Sequence, residues 1–274
     1  MDRTQTERPD QLEELVAAVL SSRKYRSVSA NFVSALGARE LPRRASLKAA
    51  IKATKNKLHQ VSGVYLEDGL RKETWLQELR RASQKADREE LRRVCLAILG
   101  HHISSRERLP FLDQFYPRIL ADQPPPASVL DLACGLNPLA IPWLPLAEGA
   151  SYYACDVYDD LADFLNAALP LLGVRGESWT CDLCREIPSR RVDLVLLLKT
   201  LPCLEQVDRA ASLRLLDGLD AAHLLVSYPA HSLGGHKRAM VQIYEAHLRE
   251  LLAGRNWSLK QYLFPTEVVF LLTK

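Results

Sequence analysis

The apolar positions of the first 120 residues recur with helical spacing. Four segments place apolar residues three and four positions apart with charged residues between them: residues 11–25, 45–61, 67–83 and 87–100. A fifth, "SSRERLPFLDQFYPRIL" (104–120), continues the pattern, and its Ser104 and Glu107 stand at the spacing of a capping box. The pattern predicts an all-helical, N-terminal domain over residues 1–122.

The pattern changes after the proline run "DQPPPAS" (122–128), which favours an extended connector. Beyond it, short apolar segments alternate with helical ones, which is typical of a parallel sheet covered on both faces. The last two apolar segments, "WSLKQYLF" and "EVVFLLT", are separated by a short turn and predict an antiparallel pair. Residues 123–274 are therefore predicted to form a doubly wound α/β domain, whose ligands bind at the carboxyl ends of the strands. The predicted strands are "SVLDL", "SYYAC", "ESWTC", "VDLVLLL" and "HLLVSYP", and the clearest helices between them are 159–172 and 204–219.

Composition and charge narrow the class of protein. The 274 residues are 47% hydrophobic and 25% charged, without an apolar run of bilayer length or a signal-peptide pattern, so we expect a cytoplasmic protein without a membrane partner. We also expect a monomer. The net charge of +3 conceals an asymmetry, because residues 1–105 carry 20 Lys and Arg against 13 Asp and Glu. Between Arg23 and Lys57 stand ten basic residues and one acid, Glu40. Such a block indicates a polyanion-binding surface, with a solubilising surface as the alternative.

The six cysteines do not predict a metal site. Only Cys181 and Cys184 form a C-x-x-C pair, and no second Cys/His pair stands at a matching spacing for zinc. We expect free thiols that pack as small apolar side chains, and no metal.

The turn after the first predicted strand indicates the kind of ligand. "VLDLACGLNPLA" (129–140) runs from a strand ending at Asp131 into a turn whose small residues are Ala133 and Gly135. It lacks the G-x-G-x-x-G that a dinucleotide pyrophosphate requires. The turn therefore favours a ligand without phosphate at this place, such as S-adenosylmethionine. Asp131 can orient the turn or reach the ammonium group of the ligand.

Acids also follow the next two strands. Asp156 ends the second strand, where a carboxylate can accept hydrogen bonds from both ribose hydroxyls. Asp182 ends the third and can accept from the adenine amino group, while the Leu183 amide can address the ring nitrogens. The alternative for each acid alone is a helix N-cap.

These motifs resemble a known family. "VLDLACGLNPLA", "CD" (155–156), "CDL" (181–183), "LLLKTLPCLE" (196–205), "SYPAHSLGG" (227–235), "HHISSRERL" (101–109) and "SSRKYR" (21–26) are similar to the aminoglycoside-resistance 16S rRNA (guanine-N7) methyltransferases, the Arm/Rmt group with the sisomicin-gentamicin resistance methyltransferase. The resemblance implies a Rossmann-like, class I S-adenosylmethionine-dependent methyltransferase domain preceded by an all-helical domain. It also implies methyl transfer to N7 of a decoding-site (A-site) guanine in the 30S subunit, and resistance to aminoglycosides such as gentamicin and kanamycin.

The resemblance also assigns residues. Arg108 would pair with the methionine carboxylate of the cofactor, and Lys199 would position the target RNA without acting as a general base. Further cofactor-binding residues implied are His102, Ser104, Ser105, Arg106, Asp131, Ala133, Gly135, Asp156, Asp182, Leu183 and Leu198. Charge and resemblance together predict RNA contacts by Arg23, Lys24, Arg26, Lys48, Lys52, Lys55, Lys57, Lys199, His236, Lys237 and Arg238.

The implied chemistry explains why no catalytic triad is required. Guanine N7 has an in-plane lone pair and no proton, so its methylation depends on positioning and on the field around the transferred charge. The target guanine is expected to flip out of its stack. Two alternatives stay open at this point: a methyltransferase of the same fold that acts on another RNA, a protein or a small molecule, and a non-catalytic RNA-binding module.

Overall fold

The N-terminal half is helical, as its periodicity predicts. The computed structural model describes residues 3–61, 71–85, 87–230 and 237–274. The first five helices are α1 (Arg3–Leu20), α2 (Ala30–Glu40), α3 (Leu47–Val61), α4 (Lys72–Gln84) and α5 (Arg88–Leu99). The periodicity analysis missed α2. Asp87 caps α5, because its carboxylate accepts from the amides of Glu89 and Glu90 at 3.0 and 3.2 Å.

The predicted helix over 104–120 is broken in the structure. It comprises α6 (Ile103–Arg106), a 3-10 helix (Leu109–Phe111) and α7 (Leu112–Ile119). Pro110 has no N–H to donate to the Arg106 carbonyl, so the α-helical hydrogen bonds cannot continue through this position. The predicted capping box is wrong: α6 begins after His102, whose side chain makes no cap, and the Glu107 carboxylate binds Lys199 instead.

The C-terminal half forms one seven-stranded sheet within the described residues. Its order is β3-β2-β1-β4-β5-β7-β6, with β1 to β5 parallel and the last two strands antiparallel, as predicted. The strands are β1 (Ser128–Leu132), β2 (Ser151–Asp156), β3 (Arg175–Thr180), β4 (Val192–Leu198), β5 (Ala221–Pro229), β6 (Ser258–Leu263) and β7 (Glu267–Thr273). The connecting helices are α8 (Asp159–Ala168), α9 (Thr200–Val207), α10 (Ala211–Gly218) and α11 (Lys237–Leu251).

The segment 204–219, predicted as one helix, forms the end of α9 and all of α10. Asp208 separates the two helices, and its carboxylate accepts from the Ala210 amide at 3.0 Å. In the part of the chain that the structure describes, no helix is both long and apolar enough to cross a membrane.

The sheet is packed on both faces. One core joins the sheet to α4, α5 and α7 through buried side chains such as Trp75, Ile98 and Phe115. A second core packs α9 to α11 on the opposite face. Helices α1 to α3 share a third core, which continues onto Val157 and Tyr158 after β2. The apolar core thus runs across residue 122, and the boundary at that residue stays a prediction.

Candidate functional site

Asp156, the acid that ends β2, fixes the turn after β1 by hydrogen bonds. Ala133 and Gly135 both have a φ of 51°, in the left-handed region. The Asp156 carboxylate accepts from the Gly135 amide at 2.8 Å and from the Val157 amide at 2.7 Å. Burial raises the pKa of Asp156, and these two amides oppose the shift. Each carboxylate oxygen has a second lone pair with which to receive a ligand hydroxyl.

Asp131, near the end of β1, orients the same turn through Asn137. It is fully buried, and its Oδ2 accepts from Asn137 Nδ2 at 2.8 Å and from the Tyr152 hydroxyl at 2.7 Å. Burial raises its pKa to about 7. Asp131 does not line the cavity described below, so of its two predicted roles the structure supports the first, orientation of the turn.

A cavity opens at the carboxyl ends of the parallel strands. It encloses about 810 Å³, part of it open to solvent, and most of its surface is apolar. This is the place where doubly wound sheets bind ligands. Nine predicted site residues line it: His102, Ser104, Ala133, Gly135, Asp156, Asp182, Leu183, Leu198 and Lys199.

Three other predicted cofactor residues lie away from the cavity wall. Ser105 is buried and its hydroxyl lies 2.9 Å from His102 Nδ1, so it supports the wall from behind. Arg106 is exposed, and its guanidinium reaches the Gly100 carbonyl at 3.4 Å. Arg108 is buried too, in the ion network described next.

A buried ion network connects the turn to the end of β4. Arg108 donates to both carboxylate oxygens of Glu267, from Nε at 3.2 Å and from Nη2 at 2.8 Å, and from Nη1 to Asn137 Oδ1 at 3.0 Å. Lys199 Nζ lies 2.5 Å from Glu107 Oε2 and 3.8 Å from Glu267 Oε2. Three of the five N–H groups of Arg108 thus donate to protein partners. The predicted contact with the methionine carboxylate of the cofactor would use one of the other two, and it stays a prediction.

Sequence reasoning missed Glu267. It is fully buried, yet it opens the apolar strand β7 and pairs with an arginine 159 positions earlier. An acid at the edge of "EVVFLLT" is the only local signal for it.

Lys199 has an unusual backbone. Its φ of 59° is left-handed, and it immediately precedes α9. It is 7% exposed, because its ammonium points back to the carboxylate of Glu107. The residue therefore lines the cavity as predicted, but as one partner of an ion pair.

His102 is packed against the turn. A Cβ on Gly135 would meet its ring at 2.6 Å, so the close approach requires glycine. Burial, together with the charges of Arg108 and Lys199, lowers the pKa of His102 to about 3. The imidazole is therefore neutral at physiological pH.

The site fits S-adenosylmethionine. Asp156 offers acceptors at the end of β2, and Asp182 offers them at the end of β3, where burial raises its pKa. Leu183 and Leu198 supply apolar walls. No cation aimed at a phosphate is required by such a ligand, and the turn has none.

The cysteines are all free thiols. Cys181 and Cys184 line the cavity, and burial raises the pKa of Cys184 to about 12, so its sulfur stays protonated. Among the described residues no group of three or more His, Cys, Asp or Glu side chains could hold a metal.

One face of α3 carries predicted RNA contacts. Lys48, Lys52 and Lys55 follow each other at helical spacing on that face and are exposed or half-exposed. Lys24 contacts the same helix, because its Nζ lies 2.8 Å from Nδ1 of His59 in α3. Lys57 differs, because it lies on the opposite side of the helix and donates to the Gln206 carbonyl of α9 at 2.9 Å.

The remaining basic positions divide in two groups. Arg23 and Arg26 are exposed in the segment between α1 and α2. His236 lies outside the described residues, and Lys237 and Arg238 begin α11 with side chains that also lie outside them.

Comparisons with known proteins agree with this site. Residues 21–271 match the family model "Ribosomal RNA methyltransferase (FmrO)". The chain is 34% identical over 267 residues to the 16S rRNA (guanine(1405)-N(7))-methyltransferase of Micromonospora rosea, covering 97% of each chain, and 28% identical to that of Serratia marcescens over 96% of this chain and 98% of the relative.

Solved structures of 16S rRNA methyltransferases also match the chain. The 16S rRNA methyltransferase RmtF, in complex with S-adenosyl-L-homocysteine, matches with a TM-score of 0.82 at 28% identity, over 100% of this chain and 99% of the other. The 16S rRNA methylase RmtB matches with a TM-score of 0.76 at 26% identity, over 96% and 98%. These findings confirm the predicted class I fold and the predicted cofactor. The chain belongs to the ribosomal RNA methyltransferase family, whose enzymes use S-adenosylmethionine.

Proposed function

We propose that this chain transfers the methyl group of S-adenosylmethionine to N7 of the 16S rRNA guanine that the names of its relatives number 1405. The substrate is the assembled 30S subunit in the cytoplasm, and the methylated ribosome resists aminoglycosides such as gentamicin and kanamycin. The observation that carries the proposal is a cofactor cavity at the sheet edge in the same molecule as a lysine face on α3.

The cofactor supplies a methyl group already activated by its sulfonium, so the protein has to hold two partners in line. Asp156 accepts from the ribose hydroxyls, and Asp182 accepts from the adenine amino group. Asp131, through Asn137 and Tyr152, fixes the turn on which the cofactor lies. Leu198 packs against the cofactor at the end of β4 and excludes water.

Lys199 positions the target nucleotide. Its ammonium lies at the carboxyl end of the sheet and already pairs with an anion, Glu107. A phosphate beside the flipped guanine would take the place of that carboxylate. Because N7 carries no proton, Lys199→Ala should lower the methylation rate by the same factor at every pH, while the affinity for the cofactor is retained. A single-turnover pH profile from pH 6.5 to 8.5 tests this role.

The basic face of α3 docks the ribosomal subunit. Lys48, Lys52 and Lys55 form a continuous cationic row that matches a phosphate backbone in charge. Catalysis on a small molecule does not require such a row, whereas binding to a polyanion does. This observation favours a ribonucleoprotein substrate over the alternatives of a small molecule or a protein.

The test maps the methylated base directly. We expect 16S rRNA from cells that express the chain to be cleaved at guanine 1405 after borohydride and aniline treatment, and the Asp156→Ala variant to leave that position intact. In vitro, purified 30S subunits should accept the methyl group and free 16S rRNA should not. Methylation of another base, or of free rRNA alone, would contradict the proposal.

A further inference from the structure

The cofactor cavity has a wall that the methyltransferase sheet does not provide. Phe32 of α2 and Val61 of α3 line it, although both belong to the N-terminal helices. Phe32 is only 6% exposed, and it also belongs to the core that α1 to α3 share. Its ring thus stands between that core and the cavity.

The position of Phe32 along the cavity can be read from its neighbours. A second, polar groove adjoins the cavity, and the residues common to both are Phe32, Val157, Cys181 and Asp182. Val157 follows the acid of β2, and Asp182 follows β3. Phe32 therefore lies at the end of the cavity where the acids for ribose and adenine stand.

Main-chain hydrogen bonds fix this arrangement. The Ser29 amide donates to the Val157 carbonyl at 2.8 Å, and the Asp159 amide donates to the Ser27 carbonyl at 2.9 Å. Val28 and Tyr158 form a bridge between these bonds. The residues just before α2 are thereby tied to the segment that immediately follows Asp156, so the start of α2 cannot move without moving the wall of the cofactor site.

We propose that Phe32 packs against the adenosine of S-adenosylmethionine, so that the helices that dock the RNA also form one wall of the cofactor site. The inference rests on the use of this cofactor and not on the identity of the target base. An aromatic side chain gives a nucleobase an apolar face of matching shape. If RNA docking, as the proposed function has it, shifts α2 and so changes the affinity for the cofactor, the reciprocity of linked equilibria requires the cofactor to change the affinity for RNA by the same factor.

The experiment measures ligand binding by calorimetry on the full chain. The probes are S-adenosylhomocysteine and 5′-methylthioadenosine, which lacks the amino-acid end. The variant is Phe32→Leu, which keeps apolar volume in the helical core and removes the ring. The control is Leu36→Ala, because Leu36 is buried in the same core on the same helix but lines neither the cavity nor the groove.

We expect Phe32→Leu to weaken both probes by the same factor, about five-fold or more, as the loss of one aromatic contact with a base does. Leu36→Ala should lower the unfolding temperature while it changes neither affinity by more than about two-fold. Wild-type affinity in Phe32→Leu would overturn the inference. So would an equal loss in Leu36→Ala, or a loss confined to S-adenosylhomocysteine. Because no rRNA is present, a wrong target base would leave this result unchanged.

Discussion

The ion pair between Arg108 and Glu267 offers a sharp test of the energetics of the site. Glu267→Gln keeps the shape of the side chain and removes its charge. The variant leaves a guanidinium that is 3% exposed facing the Asn137 oxygen and an uncharged amide. The amide can accept through one oxygen, where the carboxylate accepted two hydrogen bonds.

The expected loss is large because both partners are buried. Removing one member of a buried pair costs about 3–5 kcal/mol, mostly as the penalty of an uncompensated charge. A second cation increases that penalty, because Lys199 Nζ lies 3.8 Å from the same carboxylate. The total stability of a domain is about 5–15 kcal/mol, so we expect the free energy of unfolding to fall by about a fifth or more.

Urea unfolding, followed by both fluorescence and circular dichroism, measures the change. The matched control is Asp122→Asn, which breaks a pair with Lys260 whose side chains are 70% and 58% exposed. Such a surface pair is worth about 0–1 kcal/mol, so the control midpoint should barely move.

A double replacement separates charge from packing. Glu267→Leu combined with Arg108→Met removes both charges and should cost less than Glu267→Gln alone, because apolar replacement of a complete buried pair is often neutral. Our reasoning is refuted if Glu267→Gln unfolds at the midpoint of the Asp122→Asn control, or if the double replacement costs more than the single one.

Three further predictions follow from the same contacts. Asp156→Ala should weaken S-adenosylhomocysteine about ten-fold or more in calorimetry, since it loses charged hydrogen-bond acceptors; unchanged affinity would remove Asp156 from the site. Reversing Lys48, Lys52 and Lys55 to Glu should weaken 30S binding and reduce its salt slope by about one per lost phosphate contact, with cofactor affinity retained. Burial lowers the folded-state pKa of His102 to about 3, so below about pH 6.5 the unfolded chain binds a proton at this residue that the folded chain does not. The free energy of unfolding should therefore decline as the pH falls from 6.5 towards 3. His102→Gln should flatten the stability profile over that window, and an unchanged acid limb in urea unfolding would contradict this.

The sheet could be predicted because its evidence is local. Buried parallel strands read as short apolar runs, and each of the seven predicted strands overlaps one that the structure describes. The three acids at the ends of β1, β2 and β3 were recognisable for the same reason, since strand ends converge at one edge of the sheet. Asp131, Asp156 and Asp182 hold positions that topology alone dictates.

The rest of the site depends on contacts between distant parts of the chain. Glu267 meets Arg108 across 159 positions, and Lys199 meets Glu107 across 92. The periodicity of apolar residues is local and carries no information about such pairs. Phe32 escaped notice because its helix, α2, was not recognised, and because an apolar residue on a helix is ordinarily part of a core.

Under the proposed function, the ion network also prepares a buried lysine to bind an RNA phosphate. Two cations, Arg108 and Lys199, stand here among the carboxylates of Glu107 and Glu267, so the charges are balanced before any RNA is present. Under the proposed function, a phosphate that binds Lys199 replaces Glu107, which is 30% exposed and can turn to solvent, whereas Glu267 is fully buried and stays with Arg108. One anion exchanges for another, so the lysine is never left alone in an apolar site.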